Sequence, residues 1–159
     1  MKIIADQDDL YLYFEIIRQT EARSVLDYGM FLKRAGAIAR QVKDQEISGD
    51  IRLVGVDFEP GNNLGIYETI YDEICKREDF LQQGERNEVF DLAVFLRVRN
   101  GMRAEEARVI QSWLKEHARY AVTDWDEGES GVFRNLLDGI EVRQVTAGKN
   151  RYAFLKVRG

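Results

Sequence analysis

The sequence predicts an α/β fold, a mainly parallel twisted sheet with helices on both faces and a C-terminal antiparallel hairpin. Three observations carry this reading. Short apolar runs alternate with segments whose apolar residues recur every three to four positions, the order that builds parallel strand-helix-strand units. Two of the runs, Val25-Leu26-Asp27 and Leu53-Val54-Gly55-Val56-Asp57, end in an acid, and the first is followed at Gly29 by a residue suited to a tight turn. Two β-rich segments, residues 141–145 and 152–157, flank Ala147-Gly148-Lys149-Asn150 and read as a closing hairpin.

Leu10, Tyr13, Phe14 and Ile17 recur at helical spacing behind the candidate N-caps Asp8 and Asp9, which predicts an amphipathic helix over residues 10–20. The first strand follows at residues 24–27. Phe31, Ala35, Ile38, Ala39 and Val42 share one face of a helix over residues 30–42, and residues 51–57 form a buried strand. Strand, helix and strand in that order make a right-handed parallel crossover, so both strand ends reach one edge of the sheet and Asp27 and Asp57 become neighbours. Beyond the Pro60-Gly61 turn, Ile66, Ile70 and Ile74, with Tyr67 and Tyr71, predict a helix reaching Cys75. Residues 80–87 lack a clear period and are expected to hold a short edge strand or a loop. The apolar run from Phe90 to Leu96 reads as a strand covered on both faces. Ala107, Ile110, Trp113 and Leu114 define a helix over residues 104–117, followed by a strand at 120–125, a polar loop at 128–131 and a short helix at 133–137.

A chain of 159 residues fits one domain, residues 1–159, with a single core. Hydrophobic residues make up 45% and charged residues 32%, which excludes the apolar-poor signature of disorder. A net charge of −5 gives no overall attraction to nucleic acid or to an anionic membrane, although a local basic patch stays open. The single cysteine, Cys75, excludes an internal disulfide and zinc sites built on cysteine pairs, and makes the cytoplasm the expected compartment. The first residues turn acidic too early for a secretory signal, and no run approaches the roughly 20 apolar residues that span a bilayer.

Several chemistry-bearing residues have ordinary structural readings. His117 falls in the last turn of its helix, where imidazole meets the negative end of the dipole. Cys75 aligns with Ile66, Ile70 and Tyr71 and reads as an inert, buried thiol. Lys33 and Arg34 at a helix start read as solvated charge before an anion site, and Asp124 and Asp126 lack a third convergent ligand for a metal. Ser130 lacks the strand-to-helix elbow of an activated nucleophile. Arg97, Arg99 and Arg103, with Asn100-Gly101 as a turn among them, follow the fourth strand and form either a lip that recognises an anionic group or a solvated loop.

Val25-Leu26-Asp27-Tyr28-Gly29 resembles the opening of the first motif of the class I S-adenosylmethionine-dependent methyltransferases, an apolar strand followed by Asp-x-Gly-x-Gly-x-Gly. Val54-Gly55-Val56-Asp57 and Phe90-Asp91-Leu92-Ala93-Val94 are similar to the second and fourth strands of that family, and the order of elements is similar along almost the whole chain. The resemblance implies a Rossmann-like methyltransferase fold and S-adenosylmethionine as cofactor. It further implies that Asp57 accepts hydrogen bonds from the ribose, that Asp27 and Gly29 border the methionine moiety, and that Arg97 or Arg99 orients a small-molecule or protein substrate. The motif departs from the family at Phe31 and Lys33, which stand where the second and third glycines belong. Phe31 therefore decides whether the crevice accepts the methionyl half of the cofactor: its ring either packs beneath the following helix or projects into the site. The alternative reading is a non-catalytic binding or assembly module of the same fold that has lost the cofactor, associating with a protein partner or with itself through tyrosines such as Tyr11, Tyr67 and Tyr71.

Overall fold

A computed structural model describes residues 7–30, 51–58, 71–82, 88–96, 102–124, 141–147 and 150–157. Its elements run α1 (Gln7–Thr20), β1 (Ser24–Tyr28), β2 (Arg52–Asp57), β3 (Glu73–Lys76), α2 (Arg77–Gln82), β4 (Phe90–Phe95), α3 (Ala104–His117), β5 (Ala118–Asp124), β6 (Glu141–Ala147) and β7 (Asn150–Lys156). The strands form one seven-stranded sheet in the order β3-β2-β1-β4-β5-β7-β6. β3, β2, β1, β4 and β5 pair in parallel, and β7 joins β5 and β6 antiparallel. The expected adjacency of the strands around Val25, Leu53, Leu92 and Val122, and the closing hairpin, are therefore present. Among the described residues no helix is long and apolar enough to cross a membrane.

The inner strands are apolar at nearly every position because the sheet is covered on both sides. Side-chain alternation sends Val25 of β1 and Leu53 of β2 into one cluster with Leu12, Ile16 and Ile17 of α1. Leu26 and Val54 enter the opposite cluster with Phe80 of α2 and Ile110, Trp113 and Leu114 of α3. α3 has its acids, Glu105 and Glu106, in the first turn and Lys115 and His117 in the last, complementing the helix dipole at both ends. α1 ends on Glu21, at φ 52°, with the Thr20 hydroxyl donating to the Ile16 carbonyl at 2.7 Å.

Two expected elements are corrected. Ile74 and Cys75 belong to β3, not to a helix: Val54 pairs with Glu73 and Val56 with Cys75. Ile74 continues the four-residue spacing of Ile66 and Ile70 but lies in a strand held by contacts distant in sequence; the part of the expected helix before Tyr71 lies outside the described residues. Asp72 anchors it, its amide donating to Leu53 O and its carboxylate accepting from Leu53 N, both at 2.8 Å. Residues 80–82 are helical, in α2, where the six-residue element buries only Phe80 and so shows no period. The helix expected over residues 30–42 lies, beyond Met30, outside the described residues, as does the one expected at 133–137.

Candidate functional site

The carboxyl ends of β1 and β2 lie side by side. Asp27 pairs in register with Gly55, so Asp57, two residues further along β2, lies on the same face and at the same edge as Asp27. The two acids differ in exposure: Asp27 is fully buried, and Asp57 retains 7%. The Asp27 carboxylate accepts a hydrogen bond from the Tyr71 hydroxyl at 2.6 Å, so a buried charge-bearing group meets a buried donor.

After β1 the chain turns through two residues in the left-handed region, Gly29 at φ 89° and Met30 at φ 54°. Gly29 takes this conformation without steric cost, and its amide donates to Val56 O at 2.9 Å, tying the turn to β2. Met30 lacks that freedom, but its side chain is buried between β2 and Tyr71. Gly55 makes room for it, since a Cβ there would come within 2.8 Å of Met30 Cγ and 2.9 Å of Tyr71 Cδ1. Tyr71 is thus a core residue of this edge, 4% exposed, and not the interface tyrosine expected from its sequence context.

Alternation places the next residue of each strand on the other face. The Tyr28 hydroxyl there donates to Glu106 Oε1 of α3, which also accepts from Arg77 Nε at 2.7 Å, while Arg77 Nη2 pairs with Glu106 Oε2. Bidentate pairing of this kind matches the planar fork of guanidinium. The Arg77 guanidinium also lies 4.1 Å from the ring centre of Phe58, and Tyr28 meets the same ring edge-on at 4.9 Å. Burial, with Glu106 beside it, pushes the Tyr28 phenol well above its ordinary range. Hydrogen bonding to Glu106 raises the Arg77 guanidinium further above its ordinary range. At the outer side of Asp57, the exposed Lys76 is its register partner on β3.

Phe31, Lys33, Arg34, Arg97, Arg99, Asp126 and Ser130 lie outside the described residues. Arg103 occupies the N-cap position of α3. His117 is nine-tenths buried, stacked on Trp113 with ring centres 5.6 Å apart, its Nδ1 lying 3.2 Å from Glu88 O. Cys75 is partly buried on β3, its thiol donating to Gly55 O at 3.6 Å. No cluster of metal-ligating side chains occurs among the described residues. Sequence reasoning missed Tyr71 as the partner of Asp27, and Arg77 and Glu106 altogether. Only Glu106 left a signal: it lies one helical turn before Ile110, on the apolar stripe of α3, where a charge demands a partner.

No protein-family model matches the chain, and no curated protein matches it in sequence. Solved structures do match its fold. A methyltransferase from Geobacter sulfurreducens superposes with a TM-score of 0.64 at 16% identity, covering 97% of this chain and 80% of that one. Magnesium protoporphyrin IX methyltransferase from Synechocystis PCC 6803, solved with bound S-adenosylmethionine, gives 0.60 at 14% identity, covering 96% and 77%. The plantazolicin methyltransferase, in complex with a triazolic desmethylPZN analogue and S-adenosylhomocysteine, gives 0.58 at 10% identity, covering 95% and 85%. The chain therefore has the Rossmann-like fold of these methyltransferases, with the closing antiparallel pair.

Proposed function

We propose that this chain is an S-adenosylmethionine-dependent methyltransferase acting on a small-molecule or protein substrate. The observation that supports it most is the position of Asp57: a strand-end acid at the carboxyl ends of the parallel strands, on the strand next to the edge strand β3, beside the left-handed turn at Gly29-Met30. In this reading Asp57 accepts hydrogen bonds from the ribose hydroxyls. Gly29, with no side chain, allows the backbone to approach the methionine moiety. Asp27, fully buried on Tyr71, borders that moiety from beneath and holds the turn in place. Phe31 is assigned to the cofactor site by its place in the motif, and Arg97 and Arg99, which follow the fourth strand, to orienting the substrate. The bound sulfonium supplies an electrophilic methyl group; the chain's contribution is alignment of the nucleophile, which needs no dedicated acid or base when that nucleophile is already ionised. The cytoplasm is the compartment we assign, from the single cysteine.

A second reading has its own observation. Phe31 and Lys33 replace glycines of the motif, and Met30 fills the space over Gly55, which favours a non-catalytic module of the same fold. Calorimetric titration with S-adenosylmethionine and S-adenosylhomocysteine separates the two. Binding in wild type, weakened at least tenfold in Asp57→Ala, is expected, because the hydroxyls lose a charged acceptor worth about 1.5–3 kcal/mol. Absence of binding of both ligands at millimolar concentration makes the module the correct reading, and a silent Asp57→Ala in a protein that does bind displaces the site from β2.

A further inference from the structure

We propose that the outer face of α3 is a homodimer interface, formed by two copies of this helix packed antiparallel across a two-fold axis at Ser112. The inference is independent of the methyl-transfer reading. The buried side of α3 carries Ile110, Trp113 and Leu114, whereas Arg108, Val109, Ser112 and Glu116 lie on its exposed side. These residues, with Phe80, Trp113 and His117, line a groove of about 350 Å³ between α2 and α3. Among the residues whose side chains are described, two large apolar ones are exposed, Val109 at 38% and Val89 at 44%. Val109 lines the groove, and Val89 adjoins Glu88, whose carbonyl oxygen meets His117 there. Beneath them, Trp113 Nε1 is the one buried side-chain polar atom among the described residues that lacks a hydrogen-bond partner.

Charge selects the occupant. Arg108 and Glu116 stand four residues before and four residues after Ser112, one helical turn to each side on the same exposed stripe. An isologous contact must be complementary to itself, so a two-fold axis through the helix places each residue opposite its counterpart on the far side of the centre. At Ser112 that operation sets each Arg108 against the Glu116 of the other copy, making two ion pairs around an apolar patch. Ser112 at the crossing point is small enough for two helices to approach closely. A parallel arrangement would bring like charges together, so the pattern specifies the orientation as well as the partner.

Light scattering and sedimentation equilibrium on the full chain test this. Wild type is expected to have twice the monomer mass, with an affinity that falls as salt rises. Arg108→Glu and Glu116→Arg, each at an exposed position, should weaken the dimer at least tenfold while circular dichroism stays native. The double variant carrying both changes should restore it, because the pairs re-form with reversed sign. Ser112→Cys should cross-link into a covalent dimer on oxidation, with wild type, which carries Cys75 alone, as the control. A wild type that stays monomeric at high micromolar concentration overturns the proposal. So does a dimer indifferent to both single reversals, or one that the double variant does not restore.

Discussion

The two faces of the sheet treat their buried acids differently at the same edge. On the α1 side, the Asp27 carboxylate meets the Tyr71 phenol inside an apolar cluster, with Met30 and Gly55 packed against the same ring. On the α3 side, Glu106 is bound by the Tyr28 phenol and, on both its oxygens, by Arg77. One acid is held by a neutral donor and close packing, the other by an opposite charge that also covers Phe58. A buried carboxylate tolerates either solution, but the two respond differently to substitution: packing governs the first and electrostatics the second.

The largest effect is expected on the ionic side. Arg77→Met leaves Glu106 buried without its cation and should cost about 3–5 kcal/mol in urea unfolding. A loss below 1 kcal/mol would mean that solvent already carries the charge. Gly55→Ala is the corresponding challenge to the packed side. Its Cβ would sit within 2.8–3.0 Å of Met30 and Tyr71, and the overpacking should cost about 1–3 kcal/mol. An unchanged midpoint would show that Met30 and Tyr71 move aside freely.

The two phenols sharpen the contrast. Tyr71→Phe takes a donor from fully buried Asp27 and should destabilise by about 1–3 kcal/mol. Tyr28→Phe leaves Glu106 with both Arg77 contacts and should cost only about 0.5–1.5 kcal/mol. Equal losses by the same unfolding measurement would erase the distinction. The smallest effect is the alkaline one. Burial raises the Tyr28 phenol in the folded state above its ordinary value of 10.0, so the folded chain retains a proton that the unfolded chain releases. Stability from this group is therefore complete below about pH 10 and declines as pH rises beyond it. Tyr28→Phe should flatten that decline, which unfolding curves at pH 9 and 11 would measure.

Much of the fold was legible because it is written in local periods. The strands around Leu26, Val54, Ala93 and Val122 each announced themselves as apolar runs, and α3 by a stripe recurring every three to four residues. β3 and α2 were not legible for the opposite reason. β3 has four residues at the sheet's edge and α2 has six with one buried side chain, so neither is long enough to display a period. Asp72 settles β3 by bonding Leu53, a contact across nineteen positions that no local window contains.

The sequence by itself determined that Asp27 and Asp57 reach one edge of the sheet, since strand-helix-strand connections cross over right-handed. That they share a face was decided by the register, which pairs Asp27 with Gly55. The sequence also determined that residue 28 turns away from residue 27. Tertiary structure alone decided which groups meet them. Tyr71 reaches Asp27 across 44 positions, and Glu106 reaches Tyr28 across 78 and Arg77 across 29. Local periodicity sets the direction in which a side chain leaves the backbone. Its partner is set by how whole elements dock, because a buried charge is satisfied by whatever donor the packing of distant segments brings within about 3 Å.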